Sequence, residues 1–398
     1  METMFATAAL WLGLAVLAAV IAYHLKMSIA LVEICLGVVA AAAMGHFFGP
    51  DALGNNAEWL RFLASTGAVL LTFLAGAELD PRVMRAKLGE VSTVGIVGFL
   101  APFLGCAAVA YFILHWDARA SWLAGLVLST TSMAVIYSVM VETGLNKTEF
   151  GKGILGASCV NDLGSVLVLG ILFAPFTYKT AVFISAAVAG LAAFPWVTAL
   201  LTRVYGQRTA AVRVKWLMFV LFGLGALAYW AGSEAVVPAY IAGILLAEFA
   251  AREEHWVRRL RTLTVGFLTP FYFLRAGTLV SLKALAAAPG VLVCLLAGKV
   301  VSKIFGIYPV IAGFRRECSE RWFYTLMMST GLTFGTIAAL YGLAHGIVTR
   351  EQYSLLVAAV IASAVVPTLI ATSVYLPRHL LAGAPSSPGA SSGAVDEG

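Results

Sequence analysis

Five stretches of this chain run for twenty residues or more without a single charged side chain: residues 3–23, 91–114, 120–141, 180–202 and 352–377. A helix rises 1.5 Å per residue, so about 20 apolar residues cross a hydrocarbon core about 30 Å thick. In lipid every amide must be satisfied within its own segment or within a closed barrel, and unbroken apolar runs of this length select helices over alternating strands. Across all 398 residues 61% are apolar, only 12% are charged, and mean hydropathy is +0.92, which excludes an ordinary soluble domain. The expected fold class is an all-α polytopic membrane protein.

Interrupted or weaker apolar stretches near 28–48, 59–79, 149–173, 213–232, 235–250, 258–282, 287–313 and 321–344 bring the expected total to about thirteen spans. With the N-terminus outside, most Lys and Arg residues, from Lys26 to Arg378, fall in cytoplasmic connections, leaving Arg61, Arg119, Lys179, Lys283 and Arg350 outside. That asymmetry places the C-terminus in the cytoplasm of a cell (inner) membrane protein. It also accounts for the net charge of +6 without nucleic acid as a partner. The first span is preceded by Glu2 rather than by a basic stretch, so it reads as a retained helix and not as a signal peptide. Residues 1–382 are expected to form one transmembrane domain, and the Ala, Gly, Ser and Pro of 383–398 a disordered cytoplasmic tail. Cys35, Cys106, Cys159, Cys294 and Cys318 are scattered singly and are expected to be buried packing residues.

Once loops are assigned, four ionisable residues lie well inside spans: Asp162, Arg275, Lys299 and Lys303. Placing such a group at mid-bilayer costs about 2.5 to 3.5 kcal/mol on the mildest insertion scale, so each marks either an ion pathway or a structural ion pair. Asp162 is the only charge in a long run that includes Gly156-Ala-Ser-Cys-Val-Asn-Asp-Leu-Gly164. A carboxylate stripped of water there is neutralised by a proton or by a bound cation, and competition for one group is sufficient for exchange. Ser158 lies one turn before it on the same face, and Asn161 adds a neutral amide oxygen. Oxygen ligands of this kind suit sodium, lithium or potassium, so a monovalent cation at Asp162 is expected and no resident cofactor.

Ser129, Thr130, Thr131 and Ser132 stand at the middle of one span, and Ser329, Thr330, Gly331, Thr333, Gly335 and Thr336 at the middle of another. Both clusters read as breaks near 120–142 and 321–344, because discontinuous helices leave backbone groups free to line a site; packing through small residues is the alternative. Ser129-Thr130 precedes Ala157-Ser158, and Ser329-Thr330 precedes Ala362-Ser363 at nearly the same interval. The two breaks fall in the fifth and twelfth spans, seven apart, so the repeated units are expected to be inverted. Lys299 and Lys303 share one face of the eleventh span, and Arg275, Glu33 and Glu248 read as pairing or boundary residues, as do Glu78 and Asp80 before Pro81.

At Asn161-Asp162 the chain resembles the bacterial monovalent cation:proton antiporter-2 family of the sodium/hydrogen exchanger superfamily. The likeness extends through Leu25-Lys-Met-Ser-Ile-Ala-Leu-Val-Glu33, Gly67-Ala-Val-Leu-Leu-Thr-Phe-Leu-Ala-Gly-Ala-Glu78, Thr131-Ser132, Ile154-Leu-Gly-Ala-Ser158 and Lys303-Ile-Phe-Gly306. The resemblance implies inverted repeats with two crossed discontinuous helices, a core and a dimerisation domain that move as an elevator, and a homodimer in lipid. It further implies Asp162 as the cation and proton carrier, Thr131, Ser132 and Ser158 as its neighbours, and Lys303, or else Lys299, as the core lysine.

Two positions depart from that family: Asn161 stands where electrogenic members carry a second aspartate, and Gly331-Leu-Thr-Phe-Gly335 replaces a more polar element. One carboxylate trading one cation for one proton makes an electroneutral Na+ (or Li+, or K+)/proton antiporter the leading expectation, with no enzymatic chemistry. A potassium/proton efflux antiporter, an organic-anion symporter and a cation channel stand as alternatives, although no selectivity-filter run is present for the last.

Overall fold

Apolar segments in lipid bond their amides within themselves, and among the described residues this chain is helical throughout, without a strand. The computed structural model describes residues 2–25, 28–47, 53–55, 57–77, 87–172, 178–205, 212–231, 235–252 and 254–380. Helices α1 (Glu2–Leu25), α2 (Ile29–Phe47) and α3 (Glu58–Ala77) precede α4 (Leu88–Ala108), which runs on through a π-helical turn, Val109–Ile113. Next come α5 (Ala118–Ser129) and α6 (Met133–Thr143), two halves of one interrupted span, then α7 (Glu149–Leu172) and the long α8 (Tyr178–Tyr205). After α9 (Val212–Trp230) and α10 (Val236–Arg252), α11 (Glu254–Leu263) passes through a second π-helical turn, Thr264–Leu268, into α12 (Thr269–Thr278). The short α13 (Leu282–Ala287) leads to α14 (Pro289–Ala312), a second interrupted pair α15 (Cys318–Met328) and α16 (Thr333–Ala344), and α17 (Arg350–Val374).

Counted as spans these helices make thirteen, and among the described residues nine are long and apolar enough to cross a membrane on length and composition alone. The tenth span begins earlier and ends earlier than the apolar run 258–282 predicts. Arg258, Arg259 and Arg261 ride on α11 itself, whose opposite face buries Trp256, Val257 and Leu260, so the helix starts in polar surroundings and becomes apolar only at its second half. Glu78 and Asp80, and the tail 383–398, lie outside the described residues.

The helices pack as two groups. In one, α4 lies against α5, α7 and α14, while α14 also meets α15 and α17, and α16 packs on α5 and α17. In the other, α3 crosses α10, α2 crosses α12, and α8 joins α9 and α10. Gly76 and Gly243 meet at the crossing of α3 with α10, with the Phe73 and Tyr240 carbonyls where a β-carbon would stand. Gly37 and Gly277 do the same at the crossing of α2 with α12, against the Leu274 and Ile34 carbonyls. These crossings are counterparts: advancing the second and third spans by seven gives the ninth and tenth, so a contact of third with ninth becomes one of tenth with second. The interrupted spans repeat in the same sense, since α6 ends at Gly144 (φ 79°) and α16 is followed by His345 and Gly346 (φ 65°). Only glycine adopts this left-handed conformation at little cost, which is why it stands past both helix ends.

Between the groups side chains meet rather than backbones: residues of both share one buried apolar cluster, Tyr240 lies edge-on to Phe334, and three tyrosine hydroxyls cross. Tyr240 on α10 donates to the Cys159 carbonyl (3.1 Å), Tyr272 on α12 to Thr336 Oγ1 (3.4 Å), and Tyr353 on α17 to the Ala276 carbonyl (2.8 Å).

Candidate functional site

A helix that stops in mid-membrane strands its last carbonyls, and the side chains around the two breaks are deployed to satisfy them. On α5, Ser129 Oγ donates to the Leu126 carbonyl (2.8 Å) and Thr130 Oγ1 to that of Val127 (2.9 Å). On α15, Ser329 Oγ donates to the Thr325 carbonyl (2.8 Å) and Thr330 Oγ1 to that of Met327 (2.8 Å). The repeated Ser-Thr pair therefore performs one task twice, bonding back onto the last turn of each half-helix.

The breaks then cross. The backbone N–H of Ser132 donates to the Thr330 carbonyl (2.9 Å) and Thr131 Oγ1 to that of Met328 (3.0 Å). The C-terminal ends of α5 and α15 and the N-terminal ends of α6 and α16 thus face one another, placing two partial negative and two partial positive charges in one small volume.

Two lysines on α14 enter this volume, one turn apart. Lys303 Nζ donates to Thr131 Oγ1 (2.9 Å) and Lys299 Nζ to the Thr130 carbonyl (3.1 Å), and both side chains are wholly buried. Sequence reasoning offered one or the other; both reach the breaks, at adjacent residues. Cys106 of α4 is buried near both lysines.

From the facing side α7 brings Asn161 and Asp162. Asn161 Nδ2 donates to the Ser129 carbonyl (3.3 Å), which fixes that amide against the end of α5. Its Oδ1 is left without a hydrogen-bond partner, and so is Oδ1 of Asp162. Both residues are buried, and an unpaired buried oxygen costs about 1 to 3 kcal/mol. Lys303 is near enough for its charge to act on Asp162. Ser158, also fully buried, donates its hydroxyl to the Leu155 carbonyl (2.9 Å). All seven residues named from sequence, Asp162, Asn161, Ser158, Thr131, Ser132, Lys303 and Lys299, are therefore buried on the elements that meet around the crossing. Sequence reasoning missed the Ser129 and Thr130 carbonyls as acceptors; the signal was the break itself, which frees those oxygens.

Other sequence-flagged residues lie elsewhere. Arg275 is half-buried and donates from Nε to the Asn55 carbonyl (3.2 Å). Glu33 is buried on α2, away from the crossing. His345 Nδ1 contacts the Tyr341 carbonyl one turn back (3.0 Å). Of the cysteines, Cys106 and Cys159 are buried as expected, but Cys35 and Cys318 are exposed, the first on an outward face of α2 and the second at the start of α15. Packing alone therefore does not explain all five.

The geometry is one of oxygen atoms and fixed positive charge around a single buried carboxylate, with no group of His, Cys, Asp and Glu able to hold a transition metal among the described residues. Comparison with known proteins agrees. The family model described as sodium/hydrogen exchanger, transmembrane, matches residues 12–375. A probable Na(+)/H(+) antiporter 3 of Methanocaldococcus jannaschii is 23% identical over 84% of this chain and 89% of its own length. A Na(+)/H(+)-K(+) antiporter of Bacillus cereus, GerN, is 22% identical over 81% of this chain and 86% of its own length. The solved structure of a sodium proton antiporter of Methanocaldococcus jannaschii, determined at pH 8, superposes with a TM-score of 0.68, covering 94% of this chain and 97% of that one at 16% identity.

Proposed function

Because the chain belongs to the sodium/hydrogen exchanger family, we propose that it exchanges a monovalent cation, sodium first, for a proton across a cell (inner) membrane, one for one, with Asp162 as the shared carrier. The observation that carries this reading is the pair of unpaired buried oxygens, Oδ1 of Asp162 and of Asn161, beside the crossed breaks. A cation bound there satisfies both; a proton on Asp162 neutralises the charge when the cation leaves. The two states exclude each other, and that exclusion couples the two fluxes. With Asn161 rather than a second carboxylate, one charge is exchanged for one charge and the cycle is electroneutral.

Alternating access is of the elevator type. The group holding the site, α4 to α7 with α14 to α17, moves as a body against α1 to α3 and α8 to α12, which serve as the dimerisation domain. Support comes from the contacts: glycine-to-backbone crossings lock α3 to α10 and α2 to α12, whereas side-chain contacts, apolar packing and three tyrosine hydroxyls, join the two groups. The latter can be exchanged during sliding at small cost. The chain works as a homodimer with its N-terminus outside and its C-terminus in the cytoplasm.

The test is proteoliposome exchange with an internal pH dye, adding sodium, lithium or potassium in turn, with membrane potential clamped or free. Cation-driven proton flux that disappears in Asp162→Asn and ignores the clamp is expected. Flux surviving Asp162→Asn removes the carrier assignment, and proton movement with potassium alone turns the reading to potassium/proton exchange; the name of GerN includes potassium beside sodium and the proton.

A further inference from the structure

Two lysines reach the breaks, and the exchange proposed above gives Lys299 no role. Lys299 donates to the Thr130 carbonyl (3.1 Å), at the negative end of α5, and among the described residues no carboxylate forms an ion pair with it. Opposite it stands Gly331, in the break between α15 and α16. A β-carbon on Gly331 would overlap Lys299 Nζ, and the same point lies 3.1 Å from the Thr130 carbonyl oxygen and 3.3 Å from Ser363 Oγ. The ammonium thus occupies a small, oxygen-edged place at the crossing, and glycine at 331 is the condition for its reaching there.

An ammonium group and a monovalent metal ion carry the same charge and take the same oxygen ligands. We propose that Lys299 is a tethered second cation: it fills, at the crossing, the place a second mobile cation would otherwise take, and thereby holds the exchange to one cation per cycle. The inference rests on the reading of Asp162 as carrier. Being covalently held, the Lys299 charge travels with the protein in both directions and adds nothing to the net charge moved. With that place vacated, a cation can enter it, and two cations then move against one proton.

Two variants test this, read on purified protein by 22Na+ binding and in proteoliposomes by sodium dependence and response to membrane potential. Lys299→Met removes the charge and vacates the place; Lys299→Met combined with Gly331→Ala vacates it and fills it with a methyl group. Wild type is expected to bind one sodium per chain with a hyperbolic dependence. Lys299→Met is expected to bind two, with a Hill coefficient rising from about 1 towards about 2 and a rate that responds to the potential, and the double variant one, with a rate that ignores it. One bound sodium and a potential-independent rate in Lys299→Met overturns the proposal, and so do two bound sodium ions in the double variant. So does failure of both to fold, which makes Lys299 a structural residue. Failure of the underlying reading looks different: wild type shows no cation-driven proton flux, or Asp162→Asn retains it, whatever the variants at 299 and 331 do.

Discussion

The backbone N–H of Ser132 donates to the carbonyl of Thr330 over 2.9 Å, tying the interruption in one half of the chain to the interruption in the other. Neither residue's side chain makes this bond, so it is insensitive to their identity; it depends on both helices stopping at the same depth. Thr131 extends the tie, giving its hydroxyl proton to Met328 and receiving one from Lys303.

Thr131→Val keeps the shape of that side chain and removes both bonds at once, leaving the Met328 carbonyl and the Lys303 ammonium without this partner. Loss of about 1 to 3 kcal/mol of stability is expected, with slower exchange. Thermal unfolding in detergent measures it, and Thr131→Ser, which retains the hydroxyl, is expected to recover most of the loss.

Asn161→Asp places a second carboxylate beside Asp162 and restores the arrangement that the resemblance associates with electrogenic exchange. Proton flux that was indifferent to membrane potential is expected to become sensitive to it. Comparing initial rates with and without an imposed potential is the check; an unchanged response assigns electroneutrality to something other than residue 161.

At one end of the site-bearing group, Arg315 in the connection between α14 and α15 grips Glu90 on α4, donating from Nη2 to both carboxylate oxygens (2.8 Å and 3.0 Å) and from Nε to one of them (3.2 Å), with its guanidinium over the Phe150 ring. Residues 225 apart in sequence are joined, one from each repeat. Both side chains are largely buried. Arg315→Ala is expected to cost about 1 to 3 kcal/mol, since it leaves a poorly hydrated carboxylate alone. Arg315→Lys is expected to recover little because a point charge cannot reproduce the two-pronged contact. A double-mutant cycle with Glu90→Gln isolates the coupling by unfolding midpoint.

Gly243→Ala puts a methyl group into the backbone of α3 at Phe73 and Ala77, where no rotamer change relieves the overlap. About 1 to 3 kcal/mol of destabilisation is expected. Gly13→Ala, at a position open to space, is the control and is expected to be neutral or slightly stabilising. Unfolding of the two variants side by side measures the difference.

The spans were legible because lipid demands unbroken apolar length, and that demand is written residue by residue. The breaks were legible because Ser, Thr and Gly at mid-span have few other uses, and the spacing of Ser129 and Ser329 gave the inversion. What the sequence withheld is pairing across the fold. That Lys299 and Lys303 both reach the breaks depends on how α14 is rotated, and the Glu90 to Arg315 grip depends on the superposition of two halves. The early start of the tenth span was missed because three arginines outweigh the apolar face of a single amphipathic turn. The glycine crossings escaped notice too, since a glycine in an apolar run looks the same whether it faces lipid or another backbone.

The long helix α8, Tyr178–Tyr205, contributes no side chain to the crossing, yet the whole arrangement depends on its passing the membrane once. Six spans emerge from the ribosome before it and six after it. A half-chain of six returns to the side on which it started, so without α8 the second half would insert in the same direction as the first. The two interruptions would then point alike, and Ser132 and Thr330 would not meet. Chain synthesis therefore decides at α8 whether a site forms at all, well before any residue that lines the second interruption has been translated.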